Sequence, residues 1–382
     1  MSRLLNLPPA LAVPDSSPLS ARAHQEPAHP YRTNFVRDSA RILHSRAFRR
    51  LAGKTQVFSR NLGAETSDHL RSRLTHTLEV AQIARSIAAV LGLNPNLTEA
   101  LALVHDIGHP PYGHAGEKAL DSALRAHGLT FDHNLHALRI VTHFEERHPA
   151  YRGLNLTLAV REGIIKHSRD YSPERHPDLE EYFLSQFPPL EAQLIDLADE
   201  IAYLTADLDD GFDSGLLSLD SVRASVPLFR SLHDSVLAAY PAAVPRLIRT
   251  EALKRLLNAF VTDLMESLAH QVRELRIETI DDLRHAPRRL VAFSPPIEAE
   301  RASLKKYLYQ NLYLSPDMEQ VHDHATHIVT SLFNSIFQNP ALLPADHQAE
   351  IPSEGLARTV ADYIAGMTDN FIEHAWRTVK KN

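Results

Sequence analysis

The run His105-Asp-Ile-Gly-His109-Pro-Pro-Tyr-Gly-His114 places three imidazoles and a carboxylate within ten residues, and Arg73-Leu-Thr-His76 precedes it. Imidazole nitrogens and carboxylate oxygens are the donors that hold Mn, Fe, Zn, Co, Ni or, with a poorer match, Mg. Adjacent His105 and Asp106 can both reach one ion where a helix is ending. The chain has no cysteine, which removes thiolate ligands, disulfides and a cysteine nucleophile together. Further ligands must therefore be His, Asp, Glu or water, and His76 from an earlier helix is an economical candidate. A single histidine on an apolar helix face is more often a hydrogen-bonded core residue; the repeated His-Asp and Gly-His pairs favour the metal. With 23 histidines some clustering is expected by chance, and His24, His143, His148 and His176 read as surface residues.

The elements that must position these groups read as helices. His76, Val80, Ile83, Ile87 and Leu91 fall on one face of a helix that Gly92 can end in a left-handed conformation, so His76 faces inward. The next helix is expected to start at an Asn96 cap with Glu99 three residues on. Leu97, Leu101 and Val104 form its apolar face, His105 extends that face, and Gly108 and Pro110 break it. After Pro188-Pro189, the run from Leu190 to Asp210 carries an apolar stripe at Leu190, Leu194, Leu197, Ile201, Thr205 and Leu208. Beside it Asp196, Asp199, Tyr203, Asp207 and Asp210 share a second face. Four carboxylates there repel one another unless solvent, a cation or donor groups intervene; an ordinary solvated acidic face is the simplest account, and one Asp as a metal ligand is the other.

Composition sets the frame. With 382 residues and 44% hydrophobic content, a large core can be buried. No apolar run reaches membrane-spanning length and no signal-peptide pattern opens the chain, so a soluble cytoplasmic protein without membrane partners is expected. The net charge of −7 gives no support for broad binding of single-stranded nucleic acid, although Arg is dense between Arg32 and Arg73. Residues 1–30, rich in Pro, Ala and Ser, are expected to form an irregular arm, with order beginning near Tyr31. Nothing reads as a set of strands, so the class is all-α, and loops are expected near Pro295-Pro296 and from Pro340 to Pro352.

Six segments in order carry a family resemblance: Ser45-Arg-Ala-Phe-Arg-Arg-Leu51, Lys54-Thr-Gln-Val57, Arg71 to Ala81, His105 to His114, Phe131-Asp-His-Asn134 and Leu197 to Tyr203, with Leu304 to Tyr309 as a later match. Together they resemble the bacterial deoxyguanosinetriphosphate triphosphohydrolase-like proteins of the HD-domain superfamily. The resemblance implies an HD-type helical core over residues 31–215 and additional C-terminal helices over 216–382 that complete the pocket and an oligomer interface. It implies metal ligands at His76, His105, Asp106 and Asp199, and catalytic positions at His114, Glu117, His109 and His133. His114 is expected to act as the acid or base, with Glu117 orienting it. Substrate contacts are implied at Gln56 and Asp207 near a 3′-hydroxyl, Tyr203 against the deoxyribose, and Arg73 near base and α-phosphate, with Arg49, Arg50, Lys54 and Lys166 as phosphate-binding or structural cations.

The implied reaction is metal-dependent cleavage of a deoxynucleoside triphosphate, with dGTP the candidate for the preferred one, to deoxynucleoside and inorganic triphosphate. The resemblance further implies a homo-oligomer, a hexamer being the expectation, and a nucleotide effector. Leu70 stands where an aromatic is commoner in the family, and Asn61 to Ser67 reads as a variable insertion, which leaves base preference open. Two other readings remain: another HD-type phosphohydrolase acting on nucleoside monophosphates or cyclic nucleotides, and a non-enzymatic nucleotide or single-stranded nucleic-acid binder with the metal as a strut.

Overall fold

The computed structural model describes residues 5–56 and 71–380; Val57, Leu70 and the segment Asn61 to Ser67 lie outside them. The architecture is all-α, and among the described residues β structure is confined to isolated bridges such as Thr55 with Ser72. The first half comprises α1 (Asn34–Leu43), α2 (Arg46–Arg50), α3 (Arg73–Leu91), α4 (Pro95–Val104), α5 (Gly113–Arg125), α6 (His133–Arg139), α7 (Leu158–Ile165) and α8 (Leu190–Asp213). The second half comprises α9 (Leu219–Ser225), α10 (Pro227–Ala239), α11 (Pro245–Glu274), α12 (Ile280–Arg284), α13 (Pro295–Leu308) and α14 (Pro316–Gln338). Short α15 (Ala345–Gln348) and α16 (Ile351–Glu354) lead into α17 (Leu356–Ala365) and α18 (Asp369–Val379).

Local chemistry sets the helix ends that matter to the site. Ser72 and Thr75 form a reciprocal capping box at the start of α3, and Gly92 ends that helix at φ +76°. The cap of α4 is Asn94 rather than Asn96: its Oδ1 accepts from the Asn96 and Leu97 amides, and Pro95 occupies the first helical position, where a missing N–H costs nothing. The same tolerance explains Pro295, expected in a loop but found opening α13. Helix α8 runs unbroken past Asp210 to Asp213.

Helix α3 packs on α4 and α8, α4 also on α1 and α7, and α11 closes over α8 and α3. Val80, Ile87, Leu97, Leu194 and Ile201 lie fully buried in that core. A second apolar cluster joins Leu120 and Leu124 of α5 to Ile328 and Leu332 of α14 and to Val360 and Ile364 of α17. The site lies along the seam between the two clusters. No helix of the described residues is long and apolar enough to cross a membrane.

The N-terminal arm is irregular, as its composition suggests, but order begins well before Tyr31. Leu11 and Val13 are fully buried, and Glu191 of α8 accepts hydrogen bonds from the Val13 and Asn94 amides. Apolar side chains that reach the core hold the arm without needing helix. Glu26 ties it down further by accepting from Arg37, Arg41, the Tyr151 hydroxyl and Asn155. Against the desolvation that opposes ionisation, donors from Arg41, Tyr151 and Asn155 hold its carboxyl down at about 2. Because the folded value lies below the unfolded one near 4.3, the contribution is full above that value and is lost as pH falls through about 2. Glu26→Gln should therefore lose less stability than the parent between about pH 4.5 and 2, the remaining carboxylates being common to both; paired urea melts across that range would show the difference.

Candidate active site

The inward face of α3 presents His76, the end of α4 presents His105 and Asp106, and α8 presents Asp199. His76 Nε2 lies 2.7 Å from Asp199 Oδ1, and His105 Nε2 lies 3.6 Å from Asp106 Oδ1 and 3.8 Å from Asp199 Oδ1. His105 Nδ1 lies 2.6 Å from the Ala102 carbonyl. Donation to that carbonyl puts the proton on Nδ1 and leaves the Nε2 lone pair facing the two carboxylates. That nitrogen is buried and has no hydrogen-bond partner. A lone pair aimed at two anions is repulsive unless a cation stands between them, so the donor set fits a divalent ion. Burial first, against the pull of Asp106 and Asp199, holds His105 below its ordinary pKa and so neutral. His76, against the same burial, is raised by its bond to Asp199.

The acidic face of α8 is thus turned inward. Asp207 and Asp210 are buried, Asp199 and Tyr203 half-buried. Asp207 accepts from the Tyr313 hydroxyl, Asp210 from Arg71, and Asp196 Oδ1 lies 2.6 Å from His167 Nδ1. Desolvation pushes the Asp207 carboxyl up to about 7.

Beside the metal-type cluster lies a second group, from the loop after α4 and the starts of α5 and α6. His109 stacks on His133 with ring centroids 4.1 Å apart, and its Nε2 lies 3.2 Å from Asp106 Oδ1. Glu117 Oε1 accepts from His133 Nδ1 at 2.8 Å and from the His133 amide at 3.2 Å. Its other oxygen lies 3.4 Å from His114 Nδ1. Glu117 therefore orients His133 more closely than His114, which is 75% exposed at the rim; the sequence spacing of three residues matched the looser pair, and the tighter one spans two helices. Against desolvation, bonds from His114 and His133 hold the Glu117 carboxyl well below the usual range. Gly108 makes this assembly fit, because a Cβ there would lie 1.9 Å from the His133 carbonyl oxygen.

Both groups open into one cavity of about 800 Å³, within the range of small-molecule sites. Gln56, Arg73, Asp106, Asp199, Tyr203 and Asp207 line it with His109, His114 and His133, while His76 and His105 lie behind the wall. Arg73 Nη1 donates to Asp106 at 2.8 Å. Tyr203 is anchored through its hydroxyl on Glu200 at 3.0 Å.

None of the four implied cations is on that wall. Lys166 spends its three donors, each at 2.8 Å, on Glu162 and the Phe183 and Gln186 carbonyls, so its role is structural. Lys54 is buried and donates to the His109 and Ala365 carbonyls; burial pushes it down to about 7. Arg49 faces solvent, and Arg50 is half-buried away from the cavity. The wall instead carries Lys118, His167, Arg169, Lys305 and His322, with Tyr309 and Tyr313 from a π-helical turn. Lys305 and Tyr309 fall in a segment noted for its resemblance; the other residues gave no local signal.

The fold and site define a metal-dependent HD-type phosphohydrolase: an all-α scaffold with a buried His and Asp cluster opening on a polar cavity. Residues 73–204 match the HD domain model, and residues 291–378 match the phosphohydrolase-associated domain model. The chain is 44% identical over 351 residues to the deoxyguanosinetriphosphate triphosphohydrolase-like protein of Geobacter metallireducens, covering 92% of this chain and 89% of that one. Like-named proteins of Ralstonia pickettii and Thiobacillus denitrificans are also 44% identical, over 93% and 95% of this chain and 90% and 95% of theirs. The chain belongs to the deoxyguanosinetriphosphate triphosphohydrolase-like family.

Removing the Lys166 charge should expose its structural role. Lys166→Met is expected to lower stability by about 2–4 kcal/mol, because two carbonyls lose their partner and Glu162 keeps only Arg284. Denaturant melts measure the loss, and KM of the folded fraction should stay within about twofold of the parent.

Proposed function

We propose that this protein hydrolyses deoxynucleoside triphosphates, dGTP among them, to deoxynucleoside and inorganic triphosphate. The observation that supports it best is the shared cavity: a divalent-ion donor set at one end, the Glu117 pair of imidazoles beside it, and Tyr203 along the wall. His76, His105, Asp106 and Asp199 would hold the ion, with Mn, Mg, Co, Fe, Ni and Zn all compatible with these donors. When bound, the ion supplies Lewis-acid chemistry that offsets phosphate charge and makes water easier to deprotonate.

The chain's own residues do the rest. Water attacks the α-phosphorus, the bond to the 5′-oxygen breaks, and the proton lost by water is made up at the leaving oxygen. Glu117 gives one oxygen to each of His133 and His114, so positive charge arriving on either ring is met by a fixed carboxylate. Being exposed, His114 can exchange its proton with solvent. Neutral His109, held well below its ordinary pKa by burial and then by Arg73 and His133, is oriented by Asp106 as a hydrogen-bonding group for phosphate. Lys118, Arg169 and Lys305 bring positive charge to the same wall for the rest of the triphosphate. Tyr203, Asp207, Gln56 and Arg73 all line the cavity; in this reading Tyr203 would exclude a 2′-hydroxyl and so favour deoxyribose, Asp207 and Gln56 would bond the 3′-hydroxyl, and Arg73 would serve the base and α-phosphate. Homo-oligomerisation, as a hexamer, and a nucleotide effector belong to the same reading; exposed Leu237, Tyr240, Val244 and Leu247 at the α10 to α11 turn offer an apolar face to a second copy.

Incubating the four dNTPs and GTP with Mn, Mg or Co and assaying inorganic triphosphate tests this directly. At least one dNTP should yield triphosphate, with GTP slower by about tenfold or more. Orthophosphate or a monophosphate as the only product would point to another HD-type phosphohydrolase. Asp199→Ala should lower both bound metal, by elemental analysis, and turnover by about 10- to 100-fold. An unaltered metal content would remove Asp199 from the ligand set.

A further inference from the structure

The corner between α17 and α18 reaches both sides of the catalytic loop through one carboxylate. Asp369 Oδ1 accepts from the Tyr112 amide at 3.0 Å. Its Oδ2 accepts from the Thr55 amide at 2.8 Å and from the Thr55 hydroxyl. Thr55 precedes cavity residue Gln56, and Tyr112 precedes the first turn of α5, which carries His114 and Glu117.

Tyr112 has φ +60° and ψ +20°, a left-handed conformation that a tyrosine adopts only when its surroundings hold it there. Gly113 follows at φ +55°, and a Cβ on it would approach Arg73 Nη2 to 2.5 Å. The two residues form the sharp turn that aims α5 back across the cavity, with no side-chain cap on the helix itself. Neighbouring contacts act in the same direction. The Tyr112 hydroxyl donates to Glu373 at 3.2 Å, Lys54 joins the His109 and Ala365 carbonyls, and Thr368 packs closely on Gly53. In these contacts the C-terminal helices grip the backbone of the catalytic loop and leave its imidazoles free.

We propose that Asp369 is a positioning residue. By holding Tyr112 in its left-handed conformation and tying it to Thr55, it sets the register of His114 and Glu117 against the rest of the cavity. It touches neither substrate nor reacting atoms, and the inference that this register governs turnover rests on the hydrolase reading above.

Asp369→Asn tests the role, because the amide keeps one acceptor and presents N–H groups to a donor. Turnover of the preferred dNTP should fall on the order of 10- to 100-fold, with KM within about threefold of the parent and metal content unchanged. Amide hydrogen exchange over Tyr112 to Glu117 should quicken by about tenfold while that of α3 does not change. Glycine holds a positive φ unaided, so the same substitution should cost much less in a Tyr112→Gly background than in the parent. Parent-like turnover, or an equal loss in both backgrounds, would overturn the proposal. If the parent releases triphosphate from no dNTP, the hydrolase reading fails, and the exchange measurement still decides the Asp369 contact: unchanged exchange over Tyr112 to Glu117 overturns it.

Discussion

Burying two imidazoles and the Asp106 carboxylate, with half-buried Asp199 beside them, at the meeting of α3, α4 and α8 is the constraint from which the rest of this architecture follows. Ionised groups removed from water are costly unless each finds a partner. Asp106 shows how the cost is offset: Arg73 donates to one oxygen, His109 approaches the other, and His105 stands 3.6 Å away. The ring of His105 is fixed by the Ala102 carbonyl within its own helix end, so its second nitrogen has one direction to face. A site of this kind needs rigid helices around it, which the apolar faces of α3 and α8 supply.

The same accounting extends outward from the cluster. Glu117 has two oxygens and serves two histidines on different elements, so the start of α5 and the start of α6 are fixed relative to each other. Glu162 plays the corresponding role deeper in the core, accepting from Lys166 and, through both oxygens, from Arg284. Both carboxylates resemble site residues in sequence terms, each lying near a histidine or lysine. Only their surroundings separate them: Glu117 opens on the cavity, and Glu162 is sealed from it.

Much of the scaffold was legible because helices carry their own instructions. The inward face of α3 and its Gly92 terminus, the unbroken α8, and the break after His105 all follow from spacing and from Gly and Pro chemistry. The misreadings have local causes. Asn94 outcompetes Asn96 because Pro95 between them prefers the first helical position, and the arm is ordered because Leu11 and Val13 find the core without forming helix. Of the two accounts of the acidic stripe, burial of Asp207 and Asp210 excludes the solvated one; periodicity shows which residues share a face and not what that face meets. Lys118, His167, Arg169 and His322 were invisible as wall residues for the same reason.

By itself the sequence determined the helical class, the inward placement of His76 and His105, and the family to which the ordered motifs pointed. These depend on interactions within a few turns of chain, where spacing maps directly onto geometry. Only the tertiary structure decided which cations line the cavity and which are structural, and that Glu117 serves His133 before His114. It also decided that Asp369, more than 250 residues downstream, accepts from the Tyr112 amide at the start of α5. Such pairings form between segments far apart in the chain, and the free energy that selects among them comes from packing and burial, which no local pattern of residues records.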